Sequence, residues 1–163
     1  MNWSREVWSR LNILKHSVIT CLAMLNRLKT QDRLSRFGVQ VTCCCYLCNA
    51  QPESRQHLFF DCSIANACLL EVKNWHTQTS RLPQLMRWIE RAKTSKFKKV
   101  VLATALTALV YNLWKSRNAT IWQEVMANPV TIVTEKKWAI KIRIESLMPR
   151  KIKSSDREWF LAL

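Results

Sequence analysis

Glycine occurs once among the 163 residues, at Gly38, and proline four times. Hairpin-rich folds need residues that take positive φ cheaply, which glycine does best, so an all-β architecture of tight turns is excluded. Acids are also scarce, 11 Asp and Glu against 26 Lys and Arg, and they stand singly from Glu6 to Glu158. Chemistry that runs on paired divalent ions needs carboxylates that converge, so this distribution offers no catalytic centre of that kind. Long apolar runs are missing too. The most apolar stretch, Val100 to Trp114, is interrupted by Thr104, Thr107 and Asn112. At about 1.5 Å per residue it falls short of a bilayer core of about 30 Å, so it reads as a buried helix and no membrane partner is expected. The start lacks the charged region, clean apolar run and small-residue cleavage site of a secretory signal.

What the chain does hold is apolar material, 48% of its residues, and a formal net charge of +15. The first is enough to build a core, and the second points to a polyanionic partner, nucleic acid or an anionic membrane surface, of which RNA or single-stranded DNA is the expectation. The expected fold is mainly α. Leu14, Val18, Leu22 and Leu25 recur at helical spacing and predict a helix over Lys15 to Leu28 with that stripe inward. Thr30 at an N-cap position, Asp32 in the first turn and Gly38 after Phe37 predict a short second helix over Gln31 to Phe37. Further helices are expected over Ile64 to Trp75, Leu82 to Ala92, Phe97 to about Met126 and Val130 to Met148. Thr94 or Ser95 caps the long one, and Asn128 with Pro129 starts the last, whose inward stripe is Val130, Val133, Ile140, Ile144 and Leu147. The basic run from Arg150 to Lys153 reads equally as a solvated end or a phosphate contact.

From Val39 to Cys62 the helical period disappears and cysteines take over. Seven cysteines, an odd and clustered number, fit a metal site in a reducing compartment better than a disulfide framework. Nucleus or cytoplasm follows, with a mitochondrial address as the alternative raised by the basic first 29 residues. Within the segment, Cys45, Cys48, His57 and Cys62 stand in the order Cys-x2-Cys-x8-His-x4-Cys. Two residues between thiolates let one turn aim both sulfurs at a single ion, and the second pair completes a tetrahedron. Three thiolates and an imidazole fill zinc's coordination, so the expected cofactor is one structural Zn2+ that ties together a loop-rich knuckle placed after the second helix. Either Cys43 or Cys44 could replace Cys45 in a wider loop. Cys21 and Cys68 read as small core residues, and His16 and His76 are assigned no role.

These ligands lie within a longer pattern. Lys15 to Leu34, then Cys45-x2-Cys48, then Glu53-Ser54 ahead of His57-Leu-Phe-Phe-x-Cys62, closely resembles the zinc-binding domain that follows the reverse transcriptase in plant LINE-type non-LTR retrotransposons. Tyr111-Asn-Leu-Trp114-Lys-Ser-Arg117-Asn118 looks like that family's helical extension. The resemblance implies a non-catalytic accessory module. Full elements carry a polymerase with a Tyr-x-Asp-Asp site and some a ribonuclease H, and neither Tyr46 nor Tyr111 is followed by paired aspartates. The expected organisation is a helical plus zinc-knuckle module over 1–78 and a helical extension over 79–163 sharing its core.

Candidate nucleic-acid contacts are Tyr46 and Phe59 (with Phe60) as stacking platforms and Arg55 and Lys73 as phosphate partners. Each has a plainer reading, core packing for the phenylalanines and solvation for the bases, Arg33 and Arg36 included. The competing function is a protein-interaction module that docks on a polymerase or another partner through tryptophan-rich helices, with Trp114, Trp122 and Trp138 as its markers.

Overall fold

A computed structural model of the chain describes residues 3–42, 44–70, 81–148 and 151–162. In chain order it contains α1 (Ser4–Val7), α2 (Leu14–Met24), α3 (Gln31–Arg36), a π-helical turn (His57–Asp61), α4 (Ser63–Leu70), α5 (Leu82–Arg91), α6 (Lys96–Gln123), α7 (Pro129–Leu147) and α8 (Ser154–Leu161). The class is mainly α, as expected, and the knuckle follows α3, the second of the expected helices. Cys43, Lys73 and His76 lie outside the described residues, as does the end of the helix expected to reach Trp75.

Helix α6 is the post around which the rest is arranged. Its 28 residues span about 42 Å. From Ala103 to Val110 every residue is buried, the signature of a helix covered on all sides. Ser95 opens it, its Oγ accepting the Lys98 N–H at 3.1 Å, and Glu124 at φ 55° closes it. Helices α1, α2, α5, α7 and α8 all pack on it. Asn128 starts α7 as expected, its Oδ1 accepting the Val130 N–H at 2.9 Å. Val133, Ile140 and Ile144 are buried and Leu147 half-buried, whereas Val130 is 72% exposed and Ile132 takes its place inside.

Two features depart from the sequence reading. The stripe expected to bury α2 does not: Leu14 is 70% and Val18 41% exposed, and the inward face carries His16, Ser17, Thr20, Ala23 and Met24. The Asn12–Thr104 bond just ahead of α2 and the His16–Tyr111 stack within it set the helix along α6. The second departure is α8. Beyond the basic run, of which Lys151 and Lys153 are exposed, Ser154–Leu161 folds back onto α6. Phe160 meets Phe97 edge to face at 6.2 Å between ring centres, and buried Asp156 lies 3.6 Å from Lys98 Nζ.

Helix α3 ends where expected, with Gly38 at φ 74° and its N–H on the Ser35 carbonyl. Its N-terminus is capped from afar. The Thr30 side chain caps nothing there; instead the Glu53 carboxylate accepts the Gln31 N–H at 3.1 Å, and the Glu53 carbonyl accepts the Asp32 N–H. A carboxylate at the positive end of a helix is favourably placed. Among the described residues no helix is long and apolar enough to cross a membrane.

Candidate metal centre

The first ligand pair sits on a tight turn. Cys44 and Pro52 form an isolated antiparallel bridge, and the Cys45 N–H donates to the Gln51 carbonyl at 2.7 Å. Asn49 takes the left-handed conformation at φ 52° that reverses the chain, and its N–H returns to the Cys45 carbonyl; asparagine is one of the few non-glycine residues at home there. The second pair sits on the π-helical turn. The bond that closes it, from the Cys62 N–H to the His57 carbonyl at 2.8 Å, joins the backbones of the two ligands themselves.

The four donor atoms of Cys45, Cys48, His57 and Cys62 lie within 4.8 Å of one another, and Cys48 Sγ is 3.3 Å from His57 Nε2. Tetrahedral zinc, with Zn–S near 2.3 Å, sets donors about 3.5 to 3.8 Å apart, so an ion would need to draw this set in by about 1 Å at most. The sulfurs are also prepared for negative charge. Backbone N–H groups of Leu47 and Cys48 point at Cys45 Sγ, and those of Ile64 and Ala65, at the start of α4, point at Cys62 Sγ. A hydrogen bond between the Cys45 and Cys62 sulfurs holds the Cys45 thiol above its ordinary range and Cys62 below it. A cation bound between converging thiols displaces their protons. Cys45 and Cys62 are fully buried and His57 is 5% exposed, leaving Cys48 as the edge nearest solvent. Zinc held here would have four protein donors and no open position, so it would supply structure. Cys44 is exposed and outside the cluster, and Cys45 is the member that converges.

Of the other candidate residues, Phe59, Arg55 and Tyr46 are described. Phe59 is 2% exposed, so the stacking role considered for it gives way to core packing. Arg55 Nη1 donates to the carbonyls of Ala23 and Met24 at 3.2 and 3.3 Å, neutralising the C-terminus of α2 and fastening the knuckle to it. Tyr46 is half-buried with the Arg117 guanidinium 5.1 Å from its ring centre.

That guanidinium belongs to a contact the sequence reading did not single out. Arg117, on α6, pairs with Glu53 of the knuckle through Nε to both carboxylate oxygens at 3.2 and 3.1 Å and Nη2 to Oε1 at 2.7 Å. The side chains are 6% and 0% exposed, and Trp114 covers Arg117 at 4.9 Å. Both residues stood in the quoted motifs, yet spacing alone could not join positions 64 apart.

Residues 1–68 match the family model described as zinc-binding in reverse transcriptase. No curated protein and no solved structure matches the chain.

Proposed function

We propose that the chain is a non-catalytic accessory module, of retrotransposon origin, that binds single-stranded nucleic acid, a reading supported by the match of residues 1–68 to the family model described as zinc-binding in reverse transcriptase. The observation that carries this reading is the charge. If every one of the 11 acids paired with a base, 15 of the 26 bases would still lack an acidic partner. Only a polyanion matches such an excess over a surface of this size. The closed zinc site supports the accessory role, since four protein donors leave nowhere for a substrate oxygen. Nucleus or cytoplasm, where the thiols stay reduced, is the compartment that suits it.

The test is binding of labelled single-stranded RNA and DNA by zinc-loaded protein across a salt series. Each phosphate neutralised contributes a slope of about −0.7 to log affinity against log salt, so affinity should fall steeply as salt rises, with little sequence preference. Salt-independent binding, or none at low salt, overturns the reading. Template-dependent nucleotide incorporation by the purified chain would overturn its non-catalytic part.

A second reading draws on one specific observation. Trp122, Met126 and Val130, at the junction of α6 and α7, are 82%, 89% and 72% exposed. Such a patch suits a protein partner, a polymerase domain among them. Trp114, by contrast, packs against the core.

A further inference from the structure

Phe59 of the knuckle is buried and Tyr46 is half-buried against Arg117, so the more open aromatic faces lie elsewhere. Among the described residues four tryptophans are substantially exposed: Trp8 (49%), Trp88 (45%), Trp122 (82%) and Trp138 (69%). Trp8 and Trp138 each border a cavity. The one beside Trp8, about 720 Å3, sets Arg5, Lys96 and Lys99 against Glu6 and Glu90, so its charges nearly cancel. The one beside Trp138, about 540 Å3, runs between the start of α2, the middle of α6 and the outer face of α7. It sets Lys15, Lys115 and Arg143 against Glu135 alone.

We propose that the groove beside Trp138 binds one nucleotide unit of a single-stranded nucleic acid, the base stacked on Trp138 and the adjoining phosphates held by Lys15 and Lys115. The site rests on the nucleic-acid reading above and gives it a location, mostly outside the segment that matches the zinc-binding family. Tyr111 also lines the groove, but His16 already stacks on it at 4.5 Å and Lys15 Nζ lies 5.1 Å from its ring centre. Trp138 is therefore the open aromatic face, beside the apolar side chains of Ala139 and Ile142. Arg143 Nη2 donates to the Arg10 carbonyl at 3.2 Å, which commits it to holding the wall. Lys115 Nζ is 2.8 Å from Glu135 with both partners about half exposed. An exposed pair of this kind is weak, so a phosphate can recruit the lysine.

The experiment uses the full zinc-loaded chain and a fluorescein-labelled 12-nucleotide single strand, as RNA and as DNA. Trp138→Ala should weaken binding roughly 5- to 150-fold, the loss of one base stack, without changing the salt slope. Trp138→Phe should recover much of it. Lys15→Ala should reduce the slope by about 0.7, and Trp122→Ala, outside the groove, should leave binding as it was. Ultraviolet crosslinking should join the strand to the peptide that carries Trp138. If the parent protein binds with a steep salt dependence but Trp138→Ala binds equally well, the groove is wrong and the nucleic-acid reading survives. If the parent protein does not bind, both fail. If Trp138→Ala abolishes association with a protein partner while strand binding is unchanged, the groove belongs to that partner and the proposal falls.

Discussion

Glu53 and Arg117 hold each other across 64 residues of chain, a fully buried carboxylate of the knuckle against a guanidinium of the longest helix. The same carboxylate caps α3, so three elements meet at one side chain. Arg117→Ala would leave that carboxylate buried without a cation, which costs about 3–5 kcal/mol. Denaturant unfolding of the zinc-loaded protein should show a loss of that size. The double variant Glu53→Gln, Arg117→Met should recover part of it, because no charge is then stranded.

Removal of zinc should act locally first. Residues 39–62 contribute only a few buried side chains of their own, so chelation should release hydrogen-exchange protection there while α6 and α7 keep theirs. One zinc per chain is expected, and Cys48→Ser with Cys62→Ser should abolish it by elemental analysis.

Acid should weaken the fold through His16. Burial, with the charge of Lys15 second, lowers its pKa to about 4. Unfolded, it titrates near 6.5, so between those values the unfolded chain binds the extra proton. Stability from this group is present in full above pH 6.5 and declines as pH falls toward 4, by up to about 3 kcal/mol. The titratable and charged groups that share its groove are Lys15, Tyr111, Lys115, Glu135 and Arg143, of which Glu135 alone carries a negative charge. Zinc release contributes acid lability as well, so the readout is the difference between the parent and His16→Gln at pH 7 and 5, with the imidazole followed by NMR.

A smaller effect is expected inside the helical core. Thr104 Oγ1 donates to Asn12 Oδ1 at 2.7 Å, and Asn12 Nδ2 donates to the carbonyls of Glu6 and Val7 that end α1. Thr104→Val keeps the shape but strands the Asn12 oxygen, at a cost of about 1–3 kcal/mol in thermal or denaturant unfolding.

The helices were legible because their signals are local. Asn128 with Pro129, Ser95, and the absence of breakers between Phe97 and Gln123 each act within a few residues. The ligand set was legible for the same reason, since a Cys-x2-Cys turn and a His-x4-Cys turn are short-range geometries. The buried face of α2 was not, because large apolar residues dominate any reading of periodicity, while close packing on α6 selected Ser17, Thr20 and Ala23. Helix α8 was hidden by its polar composition, and its docking depends on Phe97 and Lys98, far earlier in the chain. The roles considered for Arg55 and Phe59 turned on which side of the knuckle faces α2, and spacing carries no information about that.

The π-helical turn between His57 and Cys62 makes the length of this stretch matter more than its letters. An α-helical turn would close four residues on; this one closes five on, and both ends of the closing bond are ligand residues. Exchanging Asp61, which is exposed, changes little in that geometry. Deleting any one residue from 58–61 turns Cys62 by about 100° around the helical axis and carries the start of α4, with its two N–H groups, away from the sulfur. Deletion of a single residue here is therefore expected to abolish zinc binding, whereas Asp61→Asn should leave it intact, a contrast that elemental analysis of the two variants would read directly.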